Sequence, residues 1–396
     1  MKMFNPPKKN KTAYFYYAKK QRSSLSKKNK DMTKKDINAL IRKNWKELDD
    51  KTEWNTIADT DKKRFMEETE LWNKYESERN VYTSITCKVN NIELGLCCLN
   101  NELRAQKPSI YPNRTCVLKT AKAKGLDYVQ KLCIKNLEDV LKLIDWNKAH
   151  GISSYRLSSN MFPHATNKDF GVYSLDFCAD LLKKIGDKVL EYGHRLSMHP
   201  GHFNHVGSPT ESVFLNTIDD LEHHCDILER IEAGRDFKEL RGILCIHGGG
   251  TYGDKEKSKK RWIENFKRLP ENVKSRVCLE NCEKSYSSED CLEIAQAVGI
   301  SHIFDVHHYN CYSILHPKEV QKPAEELIPR ILKCWNDRGM KPYFHISEQG
   351  DGKVGKHSEF VEEIPKYMLD IDQDVTMDIE AKGKEKAVIY LAKKYS

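Results

Sequence analysis

After Cys87 the chain repeats one unit: a short apolar run, then a residue suited to binding a metal or a phosphate, then a stretch with helical periodicity. Ile92–Cys98 leads to Asn100, Ile152–Leu157 to Ser158, Ser159 and Asn160, Leu196–Met198 to His199, and Ile243–Ile246 to His247. Val277–Leu279 leads to Glu280, Ile303–Phe304 to Asp305, His307 and His308, Tyr343–Phe344 to His345, and Val375–Ile379 to Glu380. Short apolar runs alternating with helical stretches predict a closed parallel (β/α)8 barrel. Such barrels build their sites from the carboxyl ends of the strands. A ring of His, Asp and Glu there is what a site of several metal ions requires. A single histidine after a strand is ordinarily a hydrogen-bonded loop residue. Histidines that track the strand period are not explained that way.

Residues 12–78 have a different pattern, three amphipathic helices with much aromatic content. Thr12 is expected to cap the first, running toward Ser24. Thr33 caps the second, with Ile37, Leu40, Ile41 and Trp45 on one face. Asp59 or Thr60 opens the third, with Phe65, Leu71, Trp72 and Tyr75 as its apolar stripe. So small a bundle needs bulky side chains, and Tyr14, Phe15, Tyr16, Tyr17, Trp45, Trp54 and Phe65 supply them. The expected division is a small all-α domain, 1–80, and an α/β barrel, 81–396, joined by a short polar linker near Glu76 to Lys88.

Charge sharpens this division. The chain has a formal net charge of +8. Counting along it, residues 1–80 carry 21 Lys/Arg against 13 Asp/Glu, and residues 81–396 carry 45 of each. A basic module on a neutral body points to a polyanionic partner. No apolar run of about 18 residues is present, which argues against a membrane-spanning helix. The first residues lack a secretory apolar region, so no signal peptide is expected. The 13 cysteines include no Cys-x-x-Cys pair, which favours free thiols in a reducing intracellular compartment: cytoplasm, nucleus or virion.

Two family resemblances add to this reading. Thr12-Ala13-Tyr14-Phe15, Trp45-Lys46-x-Leu48-x-Asp50, Trp54, Ala58 and Asp61-Lys62-Lys63-Arg64-Phe65 resemble an HMG box, with Asn10 where that family usually has proline. The resemblance implies minor-groove binding with an apolar wedge, for which Tyr14 and Phe15 are the candidates by position. In the second module, Leu94-Gly95-Leu96-Cys97-Cys98-Leu99-Asn100, Asn113-Arg114-Thr115-Cys116 and Tyr155-Arg156-Leu157-Ser158-Ser159 resemble a UV damage endonuclease. Ser197-Met198-His199-Pro200-Gly201, Ile246-His247-Gly248-Gly249-Gly250, Leu279-Glu280-Asn281, Asp305-x-x-His308, His345-x-Ser347-x-Gln349 and the segment Glu380 to Glu385 continue the match in order. This resemblance implies a TIM barrel that nicks damaged double-stranded DNA immediately 5′ of UV photoproducts with a cluster of divalent ions. Mn²⁺ is the first expectation, with Zn²⁺ or Mg²⁺ as alternatives.

The resemblance carries over His199, His247, Glu280, Asp305, His308, His345, His357 and Glu380 as metal ligands, with Glu280, His199 and His308 central to catalysis. It makes Asn100, Asn160, His202 and Phe203 candidates for DNA or lesion contact. Phosphodiester cleavage needs an activated water, a neutralised phosphate and a stabilised leaving oxygen, and two or three ions bridged by carboxylate provide all three. Imidazole and carboxylate together suit Mn, Zn or Fe better than Mg or Ca.

The chain departs from the family pattern in several places. Asn160 stands where a histidine is common, Tyr343 where a lysine is common, His202 where a glutamine is typical, and Leu96 where tyrosine is common. Gly248-Gly249-Gly250 is expected to let the DNA backbone approach. Arg104, Arg114, Lys255 through Arg261, and Lys382, Lys384 and Lys386 are expected to meet phosphates. A metal-dependent sugar isomerase or epimerase is one rival reading, and a catalytically dead DNA-bending protein is another. A monomer is expected.

Overall fold

The computed structural model describes residues 9–28, 32–79 and 86–396. The chain forms two compact units, Met1–Thr83 and Ser84–Ser396.

The described residues of the first unit form three helices, α1 (Ala13–Lys28), α2 (Lys34–Lys46) and α3 (Thr52–Arg79). Thr33 caps α2, its hydroxyl accepting the Asp36 N–H at 3.3 Å. Tyr17, Ile37, Ile41 and Trp54 form the small core, with Tyr14, Tyr16 and Trp45 packed around it. Two helix limits differ from those expected. α1 continues past Ser24 to Lys28. α3 starts at Thr52 rather than at Asp59 or Thr60, because the Asp50 carboxylate accepts the Thr52 N–H at 2.8 Å and two earlier turns bring Trp54 into the core. The side chains of Leu71, Trp72 and Tyr75 lie outside the described residues. Part of the expected linker is helical, since α3 runs to Arg79.

The second unit begins with a hairpin, β1 (Lys88–Val89) antiparallel to β2 (Ile92–Cys97). The remaining strands are β3 (Ser154–Leu157), β4 (Arg195–Met198), β5 (Ile243–His247), β6 (Val277–Glu280), β7 (Ser301–Ile303), β8 (Tyr343–Ile346) and β9 (Val375–Ile379). They pair in parallel in the order β7-β6-β5-β4-β3-β2-β9-β8. A parallel bridge from Asp305 to His345 joins the two ends of the sheet. This is a nearly closed eight-stranded barrel with helices between the strands.

Alternation along each strand separates two environments. Leu94, Leu96, Tyr155, Leu157, Leu196, Met198, Leu244 and Ile246 are buried in the large apolar core. The alternate positions meet each other across the barrel interior. Ser197 on β4 bonds to Tyr343 on β8 at 2.7 Å, although those strands are not neighbours. Ser154 on β3 donates to Asp378 on β9 at 2.9 Å. Gly95 faces Asp378 in register, and a Cβ at Gly95 would overlap the Asp378 carboxylate. All 13 cysteines are free thiols. No helix among the described residues is long and apolar enough to cross a membrane.

Candidate metal centre

The polar side of the barrel interior ends at its mouth in a ring centred on Glu280. That carboxylate is fully buried at the end of β6. Its Oε2 lies 2.8 Å from His199 Nε2 and 3.6 Å from His247 Nε2. Its Oε1 lies 2.8 Å from His345 Nδ1 and 3.7 Å from His308 Nδ1. Asp305 caps the helix Val306–Leu315 by accepting the His308 N–H at 2.7 Å, which turns His308 toward the ring. Glu380 follows β9, 3.4 Å from His345 Nδ1 and 3.8 Å from His357 Nδ1. The structure thus brings together all eight residues proposed as ligands. Among the described residues, three groupings could hold an ion: His199, His247 and Glu280; Cys245, Glu280 and His345; and Glu280, Asp305, His345 and Glu380.

The electrostatics divide the ring. Burial alone would raise the Glu280 pKa, but the imidazoles of His247, His345 and His199 hold it well below the ordinary carboxylate range. Burial also opposes charge on His308, yet Asp305, Glu280 and Glu380 outweigh it and raise the imidazole to about 9. His345 rises to about 8 in the same way, through Glu280 and Glu380. His247 goes the other way, since burial pushes it down to about 3 and leaves it neutral.

Three ring atoms are buried without a hydrogen-bond partner among the described residues: Asp305 Oδ2, His345 Nε2 and His247 Nδ1. Leaving a buried polar atom unmade typically costs about 1–3 kcal/mol. A carboxylate oxygen and imidazole nitrogens left bare beside the Glu280 carboxylate fit divalent cations of the Mn, Zn or Fe type.

A cavity of 690 Å³ opens over the ring. Asn113, Asn160, His202 and Phe203 line it together with His199, His247, His308, His357 and Glu380. His202 stacks on His247, with ring centroids 4.9 Å apart. Phe203 is 63% exposed, and its ring lies over Gly201, where a Cβ would meet the ring at 2.5 Å. A side chain at Gly201 would displace it.

Other expected contacts are placed differently. Asn100 is buried and its Oδ1 caps the helix Asn101–Ala105, accepting the Leu103 N–H at 2.9 Å, while its Nδ2 is buried without a hydrogen-bond partner among the described residues. Lys255 is held by Tyr312, Asp290 and Glu319, and Lys259 by Glu256, Asp290 and Glu293, which takes both away from phosphate. Arg114 is tied to Asp139 at 2.7 Å and to the carbonyls of Tyr111 and Ser109. The space beside Gly248 and Gly249 is used by the protein's own rings, Tyr286 and His205. In the first unit, Phe15 is 42% exposed, while Tyr14 packs edge-on to Trp45 at 5.8 Å.

Sequence reasoning missed Arg156, Cys245, Glu283 and Asp378. Arg156 is buried and ion-paired with Glu380. Cys245 Sγ lies 2.9 Å from Glu280 Oε2, and Glu283 lies 3.9 Å from His308 Nε2. A period-2 signal was available for two of them: Cys245 stands two residues before His247 on β5, and Asp378 two residues before Glu380, which directly follows β9. The barrel-facing residues could have been found by counting back from the strand ends.

Two family models match the chain, one in each module. Residues 92–396 match the family model described as UV-endonuclease UvdE, and residues 7–73 match the HMG (high mobility group) box. A putative UV-damage endonuclease of Acanthamoeba polyphaga mimivirus is 38% identical over 314 residues, covering 77% of this chain and 92% of that protein. The UV-damage endonuclease of Schizosaccharomyces pombe is 36% identical over 313 residues, covering 76% of this chain but only 50% of that longer protein. Among solved structures, that of SacUVDE aligns with a TM-score of 0.67 and 29% identity over 76% of this chain and 97% of that one. Given this match along the whole barrel, the chain belongs to the UV-endonuclease UvdE family, with a region matching the HMG box at its N-terminus.

Proposed function

We propose that the protein is a metal-dependent DNA repair endonuclease that nicks the backbone 5′ of UV photoproducts, with Mn²⁺ as the preferred ion. The observation that carries this reading is the Glu280-centred ring, with its bare ligand atoms at the mouth of the barrel. Divalent ions held there supply charge neutralisation for the scissile phosphate and activation of the attacking water. Glu280 would hold the ions together with His199, His247, His308 and His345. Asp305, Glu380 and His357 complete the set, and Arg156 fixes the Glu380 carboxylate. Asn113 and Asn160 offer amides along the cavity wall for phosphate or sugar oxygens.

Converting UV-irradiated supercoiled plasmid to the nicked form with Mn²⁺, against an unirradiated plasmid and a chelator control, tests the reading. Equal nicking of both plasmids, or none with any divalent ion, contradicts it. The sugar-epimerase alternative gives no reason for a basic N-terminal module, and a dead barrel gives none for an intact ring.

Lesion finding is assigned to Phe203. Photoproducts stack poorly, so a wedge costs less there than at an intact pair, where unstacking costs a few kcal/mol. Phe203→Ala is expected to reduce nicking of damaged DNA by about 5- to 150-fold, since base–aromatic stacking is worth roughly 1–3 kcal/mol. Its melting temperature should barely change, because an exposed side chain contributes little to stability. A variant that melts much earlier but keeps the wild-type ratio of damaged to undamaged cleavage would place the wedge elsewhere.

The N-terminal module is assigned to DNA binding, with Phe15 as the groove wedge. The barrel alone, starting at Ser84, is expected to keep lesion-specific nicking and to bind DNA more weakly. Each phosphate that the shorter protein no longer neutralises flattens the log–log salt dependence by about one unit. Matching affinity and salt slope in the two proteins would remove the module from DNA binding.

A further inference from the structure

We propose that Tyr343 and Asp378 form a positioning layer that sets the geometry of the ligand ring from one pleat below. The Tyr343 phenol donates to the Asp378 carboxylate and meets Ser197 Oγ at 2.7 Å. Asp378 also accepts the Ser154 hydroxyl at 2.9 Å, and its carboxylate occupies the space left by Gly95. One connected group therefore ties β3, β4, β8 and β9, with β2 shaped to receive it.

Each anchor stands two residues before a residue of the site. Ser197 precedes His199, Tyr343 precedes His345, Asp378 precedes Glu380, and Ser154 precedes Arg156. In a strand, positions i and i+2 share a face and lie about 6.5 Å apart. Fixing one pleat laterally therefore fixes the next. Tyr343, Asp378, Ser197 and Ser154 are all fully buried. Apolar side chains of similar volume would fill this space at lower cost, since burying a carboxylate is expensive even when it is bonded. Fixed geometry at the ring is the return for that cost, because ligands must be held closely to act together. The group makes no hydrogen bond to the open ring atoms Asp305 Oδ2, His345 Nε2 and His247 Nδ1, so these are positioning residues.

This inference rests on the metal reading above, and its test reads metal affinity rather than nicking. The full-length, metal-free protein is titrated with Mn²⁺, and free Mn²⁺ is followed by electron paramagnetic resonance. Tyr343→Phe removes only the hydroxyl. It is expected to weaken Mn²⁺ binding by about 10- to 100-fold, the usual range for partners that orient a ligand. Ile331→Val, a buried change on the helix Ala324–Asn336, lowers stability modestly and serves as the control for destabilisation alone. It should leave Mn²⁺ affinity within about twofold of wild type. If Tyr343→Phe does not fold, Ser197→Ala removes the other partner of the phenol and is expected to weaken binding in the same direction. Mn²⁺ affinity within about twofold of wild type in the folded variant overturns the proposal, as does an equal loss in Ile331→Val. Failure of the wild-type protein to bind Mn²⁺ would instead overturn the metal reading, and this inference with it.

Discussion

A folded Glu280→Gln protein is expected to lose nicking by more than about 100-fold while still binding damaged DNA. Loss of a residue that merely orients a ligand costs about 10–100-fold, and Glu280 is the carboxylate on which the ring converges. The substitution keeps volume and removes charge. One amide cannot accept from His199 and His345 on both of its atoms, as the carboxylate does at 2.8 Å each. Metal content should fall with activity in elemental analysis. DNA affinity should survive, because the buried Glu280 carboxylate does not reach the cavity wall. Near wild-type cleavage by the folded variant would sink the assignment of the ring.

The largest effect on stability is expected from Arg156→Leu in the metal-free protein. Arg156 and Glu380 are ion-paired in the barrel interior, and Arg156 contributes to holding Glu380 well below the ordinary carboxylate range. Breaking a buried pair by removing one partner typically costs about 3–5 kcal/mol, because the other charge stays buried and uncompensated. For a domain of this size that lowers the melting temperature by on the order of 10 °C. Arg156→Leu combined with Glu380→Leu should recover much of the loss, since neither charge then remains. Thermal melts of the two proteins give the answer. If the double variant melts no higher than the single one, Arg156 acts through packing rather than charge.

Much of this fold was legible because its signals are periodic. Eight apolar runs, each ending in a polar residue, placed the strands and the mouth, and Ser154–Leu157 and Val375–Ile379 fall inside the expected runs. The start of α3 was not legible in the same way. Asp50 and Thr52 make the same kind of cap as Asp59 or Thr60 would, and only the packing of Trp54 decides between them. At the site, His247 and Glu280 close β5 and β6, His345 stands next to the last residue of β8 and His199 directly follows β4, so these could be read from the strand ends. Arg156 could not, because a charged residue inside a strand looks like an exposed face until its partner is known. Lys255 and Lys259 misled in the opposite direction. Their basic character suggested phosphate, whereas Asp290, distant in sequence, claims both. Asn100 sat at a strand end like the ligands, but the helix starting at Asn101 took its side chain as a cap.

The central claim is that the Glu280 ring makes this barrel a metal-dependent nuclease directed to UV damage. The most direct measurement uses an end-labelled duplex oligonucleotide carrying one defined photoproduct, incubated with the full-length protein and Mn²⁺. The account predicts a single nick immediately 5′ of the lesion, abolished by a chelator, restored by added Mn²⁺ and absent from the undamaged duplex. A nick that persists without divalent ions, or that falls equally on the undamaged duplex, would contradict it.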